Sequence, residues 1–174
     1  MMSRPSRFWG AAVIALALVA ACGDPVTPPD EGEFAGLWAG RPWLGDAGGL
    51  LLRGAPEGDV LHVWGQNPRG AEPWGVRESI SARVIFHGTG AYQLGPSDVS
   101  FTELVGGDGI VARYGGAGSP SGTLRITRYD PETRTIEGEL DFAATTSSPL
   151  ASYGTAARLE EGRFRAAIDV RSSP

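Results

Sequence analysis

The chain has 174 residues, a formal charge of −5, 26 glycines, 13 prolines and one cysteine. One cysteine excludes an intramolecular disulfide and a cysteine-cage metal site. Glycine at this density weakens helices by about 1 kcal/mol per residue against alanine, so long helices are not expected, and the length suits one domain with a sizeable core.

Arg4 and Arg7 precede an apolar run from Phe8 to Ala21, with no acid before Asp24. The run has the length of a signal-peptide core and falls short of the roughly 20 apolar residues that a membrane-spanning helix needs. It ends Val19-Ala20-Ala21-Cys22. That ending resembles the lipobox of bacterial lipoproteins, an aliphatic residue and two small ones ahead of a cysteine. The resemblance implies cleavage before Cys22 and a diacylglyceryl thioether on its sulfur, with the membrane as a partner through acyl chains such as palmitate. An ordinary signal peptide cut at an A-x-A-like site is the competing reading. Gly23 after the cysteine, by analogy with the common sorting rule, points to the outer membrane more than the inner.

Residues 1–21 are therefore expected to be a lipoprotein signal peptide in a signal helix, and 22–33 a lipidated cysteine followed by a disordered tether. Gly23 to Glu33 holds three prolines, four acids and one aliphatic residue, too little to bury a core. Semi-extended, it would hold the domain about 30 Å from the membrane. Without residues 1–21 the chain keeps thirteen arginines against twenty acids, a charge of −7. An acidic domain in the cell envelope has no electrostatic case for nucleic acid.

From Phe34 onward apolar residues alternate with period two, broken by Gly, Pro and Asp clusters. Strands are expected at 34–39, 49–54, 59–65, 77–87, 98–104, 109–114, 122–129, 135–144, 155–159 and 163–170. The single domain at 34–171 reads as all-β, an antiparallel sandwich or flattened barrel of 8–10 short strands with one wet and one dry side. Its clearest unit is a hairpin turning at Asp130-Pro131-Glu132-Thr133, a type I turn with Pro131 pre-setting φ. Tyr129 then faces Thr135, Thr127 faces Glu137, Arg125 faces Glu139 and Thr123 faces Asp141. The dry side carries Leu124, Ile126, Ile136, Leu140 and Phe142. Glu160-Glu161-Gly162 reads as a turn before the last strand, whose dry side is Phe164, Ala166, Ile168 and Val170.

Gly90-Ala-Tyr92-Gln-Leu94-Gly95, then SGTLRITRYD at 121–130, TIEGELDFAA at 135–144 and EGRFRAAI at 161–168, resemble in order a family of small bacterial lipoproteins catalogued as a domain of unknown function. The likeness covers residues 85–170 in order and 34–84 more loosely. It departs at Arg134, where the turn wants Gly or Asn. The family has no assigned activity or catalytic residues, so the resemblance implies a fold and an anchor alone. Phe34-Ala-Gly36-Leu-Trp38 also resembles the G-x-W opening of lipocalins, which implies a Trp closing a barrel end against a late-strand arginine, here Arg163 or Arg165.

Chemistry-bearing patterns are few. His62 and His87 show no spacing that would pair them as a base or metal site, and each reads as a strand-end or core histidine. The glycine-rich 115–122 stretch fits neither G-x-G-x-x-G nor G-x-S-x-G. The expectation is a non-enzymatic protein without cofactor or metal. Trp38, Trp43, Trp64 and Trp74 cluster between 38 and 74, where they would form a core or line a ligand site. Trp43 and Trp74 each follow a proline and are the candidate ligand contacts. The function expected is a lipid-anchored β domain binding a ligand or envelope partner, with a structural or assembly protein or a lipocalin-like carrier as alternatives.

Overall fold

Among the described residues the domain has ten strands: β1 (Glu33–Trp38), β2 (Arg41–Arg53), β3 (Val60–Asn67), β4 (Val76–Ile85), β5 (Gly90–Leu94), β6 (Val99–Val105), β7 (Gly109–Gly116), β8 (Gly122–Asp130), β9 (Thr135–Thr145) and β10 (Ala156–Ser172). The structure is a computed structural model that describes residues 29–67, 76–105 and 109–173; Cys22 and Trp74 lie outside them. No helix occurs among the described residues. All ten strands belong to one sheet, in the order β1-β10-β2-β3-β4-β6-β7-β9-β8-β5.

That sheet closes on itself. β10 pairs with β9 along Ala156–Ala167 and with β2 along Ile168–Ser172, so the ladder runs from β10 through β2, β3, β4, β6, β7 and β9 back to β10. β1 wedges between β10 and β2 over the other half of the wall. The architecture is thus a barrel built from a single sheet rather than a sandwich of two. Its antiparallel pattern has one exception, since β10 runs parallel to β2. β8 pairs with β9, and β5 with β8, forming a flap beside the closed ring.

The registers place four connections at one rim. There Trp38 faces Arg41, Asn67 faces Glu78, Val105 faces Gly109 and Thr145 faces Ala156. Inside, side chains fill the barrel. Trp38 stacks on Phe101 at 4.0 Å, and Tyr114 and Phe142 pack around the same indole. Phe34 stacks on Phe164 at 5.9 Å and meets Trp43 edge-on at 5.4 Å.

The expected hairpin is present with its dry side of Leu124, Ile126, Ile136, Leu140 and Phe142 buried. Arg125 faces Glu139 and Thr123 faces Asp141, as the alternation requires. Nearer the turn the register shifts between Ile126 and Arg128, so Arg128 faces Glu137 and Tyr129 faces Ile136. The turn supplies the reason: Asp130 Oδ1 accepts the Glu132 and Thr133 N–H groups, and Arg134 then adopts φ 54°, an αL residue that adds one position to the loop. Ion pairs on this face run through Glu137, to Arg165 at 3.4 Å and Arg128 at 3.6 Å.

Three further expectations are corrected. The strand expected at 49–54 begins at Arg41, because Pro42 sits at a strand start, where proline is tolerated. Gly48 there is a packing position, since a Cβ would lie 2.6 Å from the Trp64 ring. β5 was not expected as a strand; it is five residues long and paired on one side only. Glu160-Glu161-Gly162 is a bulge inside one 17-residue strand, with Glu161 at φ 54° and the register shifting between Leu159 and Gly162. An extra residue bends a barrel strand without ending it.

Candidate functional site at the barrel rim

Alternation along β4 sets Glu78 on the same side as the buried Ile80, Ala82 and Val84, and along β6 sets Glu103 on the side of Val99 and Phe101. The two strands pair with Glu78 directly opposite Glu103. Two carboxylates therefore meet on the inward face, near the rim. Glu103 is fully buried.

Burying acids costs free energy unless donors surround them, and the rim supplies those donors. Trp43 Nε1 donates to Glu78 Oε2 at 2.8 Å, and the Tyr153 hydroxyl donates to Glu78 Oε1. The Ser152 N–H reaches both Glu103 oxygens at 3.2 Å. Tyr114 hydrogen-bonds Glu103 and accepts the Tyr153 N–H at 3.2 Å. Ser152 and Tyr153 belong to the β9–β10 connection, which is also tied down where Ser148 Oγ donates to the Val111 carbonyl. This connection folds over the rim and plugs it with the Tyr153 ring, 5.7 Å from Phe101.

Burial raises both phenols. Tyr114 is pushed up to about 12, with Glu103 adding to the effect and the Tyr153 N–H opposing it. Tyr153 is raised by burial first, then by its hydrogen bond to Glu78 and the charges of Glu78 and Glu103, with Arg41 opposing. Both therefore remain protonated donors at neutral pH.

Outside this plug lies an open cleft of about 530 Å³ lined by Trp38, Arg41, Pro42, Trp43, Asn67, Glu78 and Tyr153. The exposed Arg41 guanidinium sits over the Tyr153 ring, 5.6 Å from its centroid. Trp38 Nε1 is buried with no hydrogen-bond partner.

Of the two tryptophans singled out from sequence, Trp43 is here, but on a strand and 3% exposed rather than in a surface loop. The proline before it opens β2. Trp74, in the segment joining β3 to β4, lies outside the described residues, as does Cys22. Glu78, Glu103, Tyr114, Tyr153 and Arg41 were not singled out from sequence. The signal was present, since Glu103 takes the apolar phase of Val99-x-Phe101-x-Glu103. Trp38 lies buried at this end of the barrel. Arg163 and Arg165, however, flank the buried Phe164 on the outward phase of β10, and Arg165 pairs with Glu137.

The histidines remain separate. His62 faces outward beside Trp64, ring centroids 5.3 Å apart, while the His87 ring lies against Tyr92 at 4.6 Å and the His87 backbone N–H donates to the Tyr92 hydroxyl. Burial, and secondarily the Arg83 charge, lowers His62 below its usual 6.5. The folded state thus favours neutral imidazole, so this contribution to stability is complete above pH 6.5 and is lost as pH falls through the lowered value. Replacing His62 with Gln is expected to flatten the decline in melting temperature below pH 6.5. Thermal melts across that range check it; parallel declines for both proteins would exclude His62 as a source.

The fold and rim define a closed, filled β-barrel with a polar plug and an open cleft beside it. Compared with models of protein families, with curated proteins and with solved structures, the chain gives no match.

Proposed function

We propose that this chain is a bacterial lipoprotein, cut ahead of Cys22 and acylated there, whose β-barrel is a non-catalytic binding module of the cell envelope. The anchor rests on one observation: the lone cysteine ends the Val19-Ala20-Ala21-Cys22 sequence behind a signal-like apolar run. The resemblance of the 85–170 pieces to a lipoprotein family points the same way. Binding is assigned to the rim cleft, because it combines a concave surface with Arg41, Asn67 and Glu78 side chains. The aromatic filling of the interior favours this cleft over a lipocalin-like internal ligand. A non-catalytic role is supported by Glu78 and Glu103 both holding protein donors.

The tether suits presentation of this site. Pro29 lies on the outer face beside Thr127, Glu137 and Arg165, and β1 runs from there up to Trp38 at the rim. The seven residue-to-residue steps from Cys22 to Pro29 reach about 25 Å when extended, so the rim can face away from the lipid. A second reading, assembly through a sheet edge, has one observation in its favour. β5 is unpaired on one side, and its sequence, GAYQL, has no charge or proline to guard the edge.

The anchor is tested by metabolic labelling with a palmitate analogue. Wild type is expected to incorporate label, whereas Cys22→Ala should not and should retain residues 1–21. Labelling of the variant would overturn the lipoprotein reading.

A further inference from the structure

Unlike charges that share a cleft usually collapse into an ion pair, and at the rim they do not. Among the described residues, Arg41 has no carboxylate within 4.0 Å, although Glu78 lines the same cleft. The Tyr153 side chain holds them apart, with Arg41 on its ring face and Glu78 on its hydroxyl. The cleft therefore keeps an open dipole, cationic at one wall and anionic at the other.

The hydrogen-bonding inventory sharpens this. Trp43 Nε1 and the Tyr153 hydroxyl are both committed to Glu78. A carboxylate offers about four acceptor positions, so Glu78 still has capacity for a donor. At the other wall the Arg41 side chain lines the open cleft. We infer that the rim cleft binds a small zwitterion, its ammonium set against Glu78 and its carboxylate against Arg41.

Other ligand classes fit less well. A simple anion at Arg41 meets the negative charge of Glu78, with Glu103 opposite it. A simple cation at Glu78 leaves the donors of Arg41 unanswered. A neutral sugar stacks on exposed aromatic faces, and Trp38 and Trp43 are 1% and 3% exposed. Free α-amino acids carry both charges on one carbon, and a cleft of about 530 Å³ also has room for a side chain.

This inference rests on the rim being a binding site, and the test separates the two. The purified full chain is screened by thermal shift and calorimetry at millimolar concentration against the twenty common amino acids, acetate, methylammonium and a neutral disaccharide. At least one amino acid is expected to bind, and its N-acetyl and methyl-ester derivatives should each bind about tenfold more weakly, because each loses one charge-assisted contact. Arg41→Gln, an exposed change, should weaken binding about tenfold without moving the ligand-free melting temperature, and Arg41→Lys should recover part of it. Binding of acetate, methylammonium or the disaccharide, lost in Arg41→Gln but without binding of any amino acid, overturns the zwitterion and leaves the rim as a site. Amino-acid binding unaffected by Arg41→Gln overturns it as well. No binding of any probe overturns both.

Discussion

Replacing Glu103 with Ala is expected to lower folding stability by about 3–5 kcal/mol, measured by urea denaturation. The carboxylate is fully buried and accepts the Ser152 N–H and the Tyr114 hydroxyl. Removing it strands the buried Tyr114 hydroxyl, at roughly 1–3 kcal/mol, takes the acceptor from the Ser152 N–H and opens a cavity where the side chain packed. One term opposes the loss. Glu78 stands directly across the β4–β6 ladder, and relief of like-charge repulsion returns about 0.2–1 kcal/mol. The donors outweigh that relief. Glu103→Gln separates the contributions, since the amide keeps the shape and one acceptor while removing the charge; a loss of about 1–2 kcal/mol is expected. The Ala variant should also release the β9–β10 connection, read as faster chymotryptic cleavage at Tyr153. A loss under about 1 kcal/mol for Glu103→Ala would show that the plug does not depend on this acid.

Glu103 also shows where the sequence could be read and where it misled. The hairpin over 122–145 was legible because Leu124, Ile126, Ile136, Leu140 and Phe142 alternate without a glycine on the dry side except Gly138, and the pairing of Arg125 with Glu139 follows from that phase. The phase of Glu103 was equally legible, but its donors, Ser152 and Tyr114, come from other segments and leave no local signal. Glycine is ambiguous for the same reason. Gly48 precedes the strand expected at 49–54, yet it sits inside β2, where Trp64 lies against the backbone. Glu160-Glu161-Gly162 has the composition of a turn and forms a bulge, because β9 continues as a partner on both sides of it. Closure of the barrel had no local signal, since the parallel contact of β10 with β2 joins segments more than a hundred residues apart. Pro42 made Trp43 look like a loop residue, whereas its indole bridges the core at Phe34 and the rim at Glu78.

Barrel and rim are therefore one mechanical unit. Trp38 touches both the core stack and the plug, lying on Phe101 and meeting the Tyr153 ring edge-on at 6.2 Å. The open side of the cleft, by contrast, depends on the exposed Arg41, whose replacement leaves that packing in place. Stability and ligand selectivity can thus be altered separately, the first at Glu103 and the second at Arg41.

Gly138→Ala tests how tightly the lower wall is closed, with an expected loss of about 3–4 kcal/mol, at the upper end of what overpacking costs. Gly138 lies on β9 between Ile126 of β8 and Phe164 of β10. A Cβ there would stand 2.4 Å from the Arg125 carbonyl oxygen and 2.7 Å from Phe164 Cζ. Its φ is not positive, so backbone strain does not enter and the cost is steric. The two clashes differ in kind. Phe164 can tilt, but only against Phe34, on which it stacks and which in turn supports Trp43. The Arg125 carbonyl can withdraw only by parting β8 from β9. Adding Phe164→Leu to Gly138→Ala removes the ring from the contact and leaves the carbonyl. If the carbonyl dominates, as the shorter distance indicates, the double variant should be less stable than either single one. Recovery of stability in the double variant would instead assign the cost to the ring. Gly115→Ala is the control, because its nearest neighbour would be the Pro96 oxygen at 3.9 Å, an ordinary contact. Stability there should change by less than about 1 kcal/mol, with the reduced freedom of the unfolded chain favouring alanine.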